Sequence, residues 1–482
     1  MSSVPEELDF VVQLPTDEVI INRRTVQYQS PAASHSATDN PTITLEIPGT
    51  GFADLSTLGL FADLKYIATA TTAAETISKY VQNGNKIGYT VQGAGGVQLD
   101  NRHPGPNYPR LPSTYDLVRS FKIRTIGGVE LERVDNMAEL AELLHSASAN
   151  KEWLATSASA SNAHPDWYKR GYNRSTTNIP SNGAQIVTSA RNVDLGCHKV
   201  SGFLTSMGKY IDLAALGGLI IEIDLKPNTE CFAATTAHTG GSYSYELTKV
   251  KVRCDIVDPS PEYMVEYNRE LSQGYSLVYP TFKHTRQHVS TGVNQEVQLN
   301  VKCDAARSLY SVVRYQHNVS RVTAADDEGV NHANGYAFRS AGFTWYQYQI
   351  GGKAVPSVRV EGYPQAYEMM ERTTQVHRNT KHSNITMEQF ETDFLMPKDN
   401  LDIPPGDQEP GSRLNGKFSM CLDLEQAMSS NLSGVPLTAR GDSLKFNFDQ
   451  TGGQTSENMI VDTWVECWHK ASVSRVGVVV RS

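Results

Sequence analysis

Cysteine is scarce and scattered. The six residues (Cys197, Cys231, Cys254, Cys303, Cys421 and Cys467) stand at least 23 positions apart and form no CxxC pair, which leaves no zinc-knuckle or dithiol redox motif. They read as reduced thiols buried in strands. Basic runs are missing too. Lys and Arg total 43 against 52 Asp and Glu, for a formal charge of −9. Affinity for nucleic acid comes chiefly from cations that neutralise phosphates, so no direct sequence-specific nucleic-acid binding is expected. No stretch approaches the ~20 apolar residues of a membrane-spanning helix. The opening MSSVPEELDFVVQL lacks the charged start and apolar core of a signal peptide, so the product is expected to begin life in the cytosol.

Catalytic patterns are also absent. There is no GxSxG elbow and no HExxH. GFLTSMGK (202–209) resembles a phosphate loop but has five residues between its glycines instead of four. Tyr210 follows Lys209 where Ser or Thr should meet magnesium, so the stretch reads as a turn between strands. His284 and His288 lie in a strand-like stretch. Four residues at ~3.3 Å each put them about 13 Å apart, too far to share a metal. Cys467-Trp468-His469 alternates faces on a strand, which spoils a ligand pair. Carboxylates are plentiful, yet nothing pairs them into a glycosidase dyad. The expectation is no catalytic residue, no metal ligand and no cofactor.

Two surface motifs have plainer explanations. Asn173, Asn318, Asn384 and Asn431 each open an N-x-Ser/Thr sequon, but a cytosolic chain never meets the glycosylating machinery. Arg440-Gly441-Asp442 is the integrin tripeptide, and it falls where a turn before a strand accounts for it.

What the sequence does contain is a unit used twice. TIGGVELERVDNMAELAELL (125–144) reads as strand, glycine turn, short strand and helix. Asn136 and Glu139 form a capping-box pattern, and Met137, Leu140, Ala141 and Leu144 make a helical stripe. QIGGKAVPSVRVEGYPQAYEMM (349–370) repeats the scheme, with Ile350-Gly351-Gly352 answering Ile126-Gly127-Gly128 at an offset of 224. Three further matches keep the same order. LFADLKY (60–66) is answered by LYSVVRY (309–315), offset 249. LGGLIIEIDL (216–225) is answered by RGDSLKFNFD (440–449), about 225. ELTKVKVRCDIV (246–257) is answered by IVDTWVECWHKA (460–471), with Cys254 and Cys467, 213 positions apart, near the same place. Four ordered matches imply two copies of one β domain of roughly 220–240 residues.

Taken in order, residues 1–18 form an acidic N-terminal arm and 19–260 the first domain. Within it TITLEIPG (42–49) and GLFADLKYIAT (59–69) alternate as strands, and strands resume at Val200. Residues 261–274 form a linker helix, which Ser260 caps, Pro261 opens and Gly274 stops. The second domain spans 275–473, and 474–482 is a C-terminal arm. Polar excursions at 70–113, 148–192, 322–340 and 376–417 interrupt both copies. One or both of the apolar VGVVVRS (476–482) and the Phe10–Leu14 patch of the N-terminal arm are expected to add to a sheet edge or groove of a neighbouring molecule, the alternative being that 476–480 extends the chain's own last sheet.

The ordered set DLSTLGLFADLKY, SFKIRTIGGVELE with its helix, CHKVSGFLTSMGKYIDLAALGGLIIEIDLKP, YELTKVKVRCDIV, WYQYQIGGKAVP and SMCLDLEQAMSSNLSGVPLTARGDSLKFNFD resembles double jelly-roll major capsid proteins. The likeness is to those of polinton-like viruses and virophages, with the adenovirus hexon as a distant relative, and covers residues 19–473. It implies an all-β fold of two tandem eight-stranded jelly-roll sandwiches with short helices in loops. It also implies a virion location, homotrimeric pseudo-hexameric capsomers tiling an icosahedral shell, and loops forming an outward crown. The implied partners are other copies of the chain, penton and minor capsid proteins, and a host receptor. The alternatives are a tandem β-sandwich carbohydrate-binding or adhesion protein and, further off, a two-jelly-roll hydrolase or metal oxidase.

Overall fold

A computed structural model describes residues 20–69, 80–83, 86–93, 96–100, 113–148, 185–187, 191–206, 210–231, 242–289, 294–315, 338, 342–374, 385, 387–391, 417–425, 433–438, 441–448, 459–474 and 477–481. The N-terminal arm, Arg440, the four sequon asparagines and most of the polar excursions lie outside these residues. Within the excursion at 70–113, which reads as loop in sequence, Tyr80–Asn83, Lys86–Gly93 and Gly96–Asp100 pair as a small antiparallel sheet.

Period-two alternation sets the strands of the first half. They are β1 (Ile20–Gln29), β2 (Thr42–Ile47), β3 (Phe52–Thr69), β4 (Val118–Thr125), β5 (Glu130–Asp135), β6 (Arg191–Asp194), β7 (Leu219–Leu225) and β8 (Ser242–Pro259). Ile43, Leu45 and Ile47 of β2 and Ile221 and Ile223 of β7 all point inward and are fully buried, as one-sided burial of a pleated strand requires. β1, β8, β3 and β6 are neighbours in one antiparallel sheet, and β2, β7, β4 and β5 in the other. Between them lies the apolar core.

The second half repeats this with β9 (Tyr275–Val289), β10 (Asn294–Gln298), β11 (Lys302–Tyr315), β12 (Phe343–Ile350), β13 (Lys353–Glu361), β14 (Met420–Asp423), β15 (Ser443–Phe448) and β16 (Met459–Ser474). Its sheets run β9-β16-β11-β14 and β10-β15-β12-β13. Each strand number is the first half's plus eight, so the two halves are jelly rolls of one topology. The register agrees as well. Phe61 faces Lys251 across β3 and β8, and Tyr310 faces Trp464 across β11 and β16. Those positions differ by 249 and 213, the offsets carried by the sequence matches.

The glycine turns differ by one residue. Ile350 pairs directly with Lys353, so Gly351 (φ 56°) and Gly352 (φ 77°) form a two-residue hairpin turn with both central residues left-handed. In the first copy the loop is one residue longer, and only Gly128 (φ 90°) is left-handed. Asp442 braces the second turn. Its Oδ1 accepts from Gly351 N at 2.8 Å and its Oδ2 from Thr438 N at 2.9 Å, in a side chain that is 1% exposed. The aspartate of the integrin-like tripeptide is thus built into a turn, with Gly441 left-handed beside it.

Helix α1 (Met137–Ser148) follows β5 and α4 (Gly362–Thr373) follows β13, as the repeat predicts. Between the rolls runs α3 (Pro261–Leu271), where Ser260 Oγ accepts from Tyr263 N and Gly274 (φ 79°) ends the turn. Three readings need correction. β3 opens at Phe52, not Gly59, through an irregular stretch opposite Arg253–Asp255. The stretch after Val200 is helical before it is β. Ser201 caps α2 (Gly202–Thr205) by accepting from Leu204 N, and Asp212 caps Leu213–Leu216 by accepting from Ala214 N and Ala215 N. The third concerns the C-terminus. β17 (Gly477–Arg481) folds back on Lys470–Ser474 of β16, in the chain's own sheet. β11 pairs with β16 only as far as Cys467, which leaves an open edge for β17 to fill. The six cysteines are free and buried.

Removing the Asp442 brace leaves two backbone donors without their acceptor. Asp442→Ala is expected to cost about 1–3 kcal/mol of stability, read from the denaturation midpoint. An unchanged midpoint would show that the glycine turn holds its shape unaided.

Candidate functional site at the seam between the jelly rolls

The residues weighed for chemistry in the sequence do not converge. Among the described residues no group of three or more His, Cys, Asp or Glu is arranged around a metal position. His284 turns to Asp462, its Nε2 2.8 Å from Oδ1. His469 is half-buried beside the Tyr279 ring, and desolvation pushes its pKa down to about 4. Cys467 lies beside Cys303, and Trp468 donates to Ser433 O. Lys209 of the glycine-rich stretch lies outside the described residues, and Gly202–Thr205 is a helical turn.

Polar groups gather instead where β5 and α1 of the first roll meet the second. β5 pairs with β4 on one side only, which leaves backbone acceptors along its other edge. Leu131 O accepts from Tyr279 Oη at 2.6 Å and Asp135 O from Trp464 Nε1 at 3.1 Å, both donors belonging to the second roll. The Asn136 carboxamide lies 3.1 Å from His284 Nε2.

Behind this edge runs a chain of buried ions. Glu139 Oε1 accepts from Lys226 Nζ at 2.8 Å within the first roll and from Arg314 Nη1 at 3.0 Å across the seam. Arg314 Nε donates to Asp462 Oδ2 at 3.1 Å, and its Nη2 binds the same oxygen. Arg286 Nε donates to Asp462 Oδ1 at 2.7 Å. Glu139, Lys226, Arg314 and Asp462 are each no more than 4% exposed. A second crossing joins Glu142 of α1 to Lys417. Burial acts to raise the Glu139 carboxyl, but Lys226 and Arg314 overcome it and hold the group down at about 2. Asp462 is likewise desolvated, and Arg314, the His284 hydrogen bond and Arg286 keep it well below the usual carboxylate range.

Glu132 sits differently. It is buried on β5 with no cation beside it, and accepts from Ser201 Oγ, Gly202 N (2.9 Å) and Phe203 N (3.2 Å) at the start of α2. Burial drives its pKa up to about 7 against those donors. Here the backbones of the two rolls touch: a Cβ on Gly202 would stand 1.7 Å from Pro280 O.

Among the described residues the carboxylates of this seam are held by arginine and lysine or, at Glu132, raised by burial to about 7, and together they join one roll to the other. Buried ion pairs contribute little net stability but penalise wrong registers heavily, so this chain of charges fixes how one roll sits on the other. Sequence reading placed Asn136 and Glu139 in a capping box, whereas the two side chains reach His284 and Arg314. One signal pointed to the truth. Between Met137 and Leu144 every residue but Glu139 and Glu142 is apolar, and a helix apolar nearly all round is buried on all sides.

No protein-family model and no curated protein matches the chain. Solved structures do. A chain in the structure of the Sputnik virophage matches with a TM-score of 0.57 at 13% identity, over 100% of this chain and 92% of that one. The major capsid protein of Faustovirus matches at 0.55 and 9% identity (94% and 90%), and that of mavirus at 0.53 and 10% (100% and 95%). The chain has the double jelly-roll fold of these capsid proteins. The likeness runs from end to end in both directions, so the seam is part of a double jelly roll, not a junction of unrelated domains.

Two predictions follow from the charges. Arg314→Met, which keeps an unbranched apolar stem but not the guanidinium, strips Glu139 and Asp462 of their shared cation. It is expected to cost about 3–5 kcal/mol in chemical denaturation, and a loss under 1 kcal/mol would mean that Lys226 and Arg286 suffice. For Glu132 the sign is the opposite of an ordinary paired carboxylate. Its folded pKa lies above its unfolded one, so the native chain holds the extra proton between pH 4.5 and 7, and stability declines as pH rises through that window. Glu132→Gln is expected to remove that decline, on the order of 3 kcal/mol, in denaturation midpoints taken from pH 4.5 to 8. A decline that survives the substitution would show that Glu132 is ionised in the native state.

Proposed function

We propose that this chain is a viral major capsid protein, the subunit from which an icosahedral shell is built. One observation carries the reading: two jelly rolls of identical topology lie in one chain, in a fold shared along its whole length with the major capsid proteins of Faustovirus and mavirus. A chain of this build supplies two similar walls. Three copies supply six, a pseudo-hexagonal capsomer that tiles an icosahedral lattice, and its place is the capsid of the virion. The sheets support a division into rolls at 19–260 and 275–473 joined by 261–274. The role is structural, without cofactor or turnover.

Penton and minor capsid proteins would be the further partners, and a receptor would be met through the polar excursions. The net charge of −9 leaves genome packaging to other proteins. The carbohydrate-binding and adhesion alternative draws no support from the matched structures.

The test is the size of the purified chain. Under assembly conditions at micromolar concentration, sedimentation should give a trimer of three 53.1 kDa chains, about 159 kDa, and electron microscopy should show hexagonal capsomers. A stable 53.1 kDa monomer would overturn the proposal.

A further inference from the structure

The seam inside the chain is head-to-tail: the β5–α1 edge of the first roll covers the β9–β16 face of the second. Because the rolls are copies, the second has its own β5–α1 edge and the first its own β9–β16 face. The corresponding edge is β13–α4. Arg133-Val134-Asp135-Asn136 is matched by Arg359-Val360-Glu361-Gly362, an offset of 226. Val134 and Val360 are both buried, and Asn136 (φ 47°) and Gly362 (φ 72°) are both left-handed just before the helix.

The two edges are buried very differently. On β5, Leu131 and Glu132 are each 1% exposed; Leu131 O accepts from Tyr279 of the second roll, and Glu132 accepts from Ser201, Gly202 and Phe203 of its own. The corresponding stretch of β13 bulges, with residues 356–359 opposite Gln347 and without ladder partners of their own; Ser357 there is exposed, and Val358, at 75%, is the most exposed large apolar side chain described. Helix α1 is buried at every position from Met137 to Leu143, whereas α4 is buried only at Ala366, Met370 and Thr373. The second edge occupies the same place in its sheet, with a bulge added, and lacks this burial.

The receiving face is equally open. Thr281 faces Cys467 across β9 and β16, and Val26 faces Cys254 across β1 and β8, so β1 stands where β9 does. Asn22–Thr25, Gln27 and Gln29 of β1 are exposed. Charge follows the same polarity as the internal seam. There an acidic edge (Glu139, Glu142) meets cations of the second roll (Arg314, Lys417). The counterpart edge carries Glu361 and Glu368. The counterpart face carries Lys251 where the second roll has Trp464 and Lys65 where it has Arg314, with Lys249 in the bulge between Thr248 and Lys251. Lys65 and Lys249 reach Glu246 and Asp63 within their own roll and keep 30% and 77% of their side chains exposed.

We propose that the β13–α4 edge docks on the β1–β8 face of a second copy of this chain, with Val358 seated against β1 and Glu361 paired with Lys251. The Glu361–Lys251 pair is specified by the internal seam, where Trp464, at the Lys251 position, donates to Asp135 O, at the Glu361 position. A contact of this kind joins unlike surfaces, so it forms a ring if its rotation closes and a filament if it does not. The inference rests on the capsomer reading and deepens it by naming the surfaces.

The test compares full-length variants with the parent chain by sedimentation and native mass spectrometry, with circular dichroism to check folding. Val358→Asp and Glu361→Lys alter exposed side chains and should leave the spectrum unchanged while the ~159 kDa species is lost at micromolar concentration. Adding Lys251→Glu to Glu361→Lys should restore that species. If the parent is a trimer and Val358→Asp and Glu361→Lys remain trimers, this docking surface is wrong and the capsomer reading stands. Failure of Lys251→Glu to rescue Glu361→Lys refutes the pairing. A monomeric parent overturns both the capsomer reading and the surface.

Discussion

Glu139 is placed where water cannot reach it, and the rest of the seam answers that constraint. A carboxylate desolvated to this degree must be neutralised or paired. Lys226 neutralises it from its own roll, and Arg314 from the other. Arg314 is itself buried, so it requires Asp462, which in turn gathers Arg286 and His284. Each group is tolerable only because the next is there. Such a chain cannot be satisfied with the rolls rotated or slid by a residue, so it selects one relative orientation from the many that two apolar faces would accept. The close approach at Gly202 adds a steric limit, since the backbones of α2 and β9 meet with no room for a side chain.

Local features were legible in the sequence because they depend on neighbours. The alternation of β2, β7 and β15, the left-handed glycines at Gly351 and Gly352, and the Ser260, Pro261 and Gly274 punctuation of α3 are all decided within a few residues. The order of matches went further and carried the true register of β3 on β8 and β11 on β16. What failed was the assignment of partners over distance. Glu139 and Arg314 are separated by 175 positions and Glu142 and Lys417 by 275, and a helix-start pattern explained Glu139 well enough to hide its use. Cys197–Leu216 misled for a local reason. Val200, Phe203, Leu204, Ile211 and Leu213 are apolar at strand-like density, but Ser201 and Asp212 cap short helices that no alternation reveals. The C-terminal valines were read correctly as a strand, but their partner, the open end of β16, is visible only once β11 is known to stop short.

The two copies of the edge have diverged in the direction that their circumstances require. β5 and α1 are covered as the chain folds, so they can hold desolvated carboxylates that would be costly on any surface that waits for a partner. β13 and α4 carry Gln365 where α1 has Glu139, and expose Glu361 and Glu368 on a wettable surface. Val358 is the exception, the one large apolar side chain that β13 leaves exposed. One such residue adds little to non-specific association, which needs contiguous apolar area. It is enough to mark the centre of a contact whose rim is charged. The face opposite shows the same restraint: Lys251 is a half-exposed cation where the second roll has the buried Trp464, and Lys249 stands exposed in the bulge beside it. A surface built this way offers little contiguous apolar area by itself and gains contact only against a complementary surface.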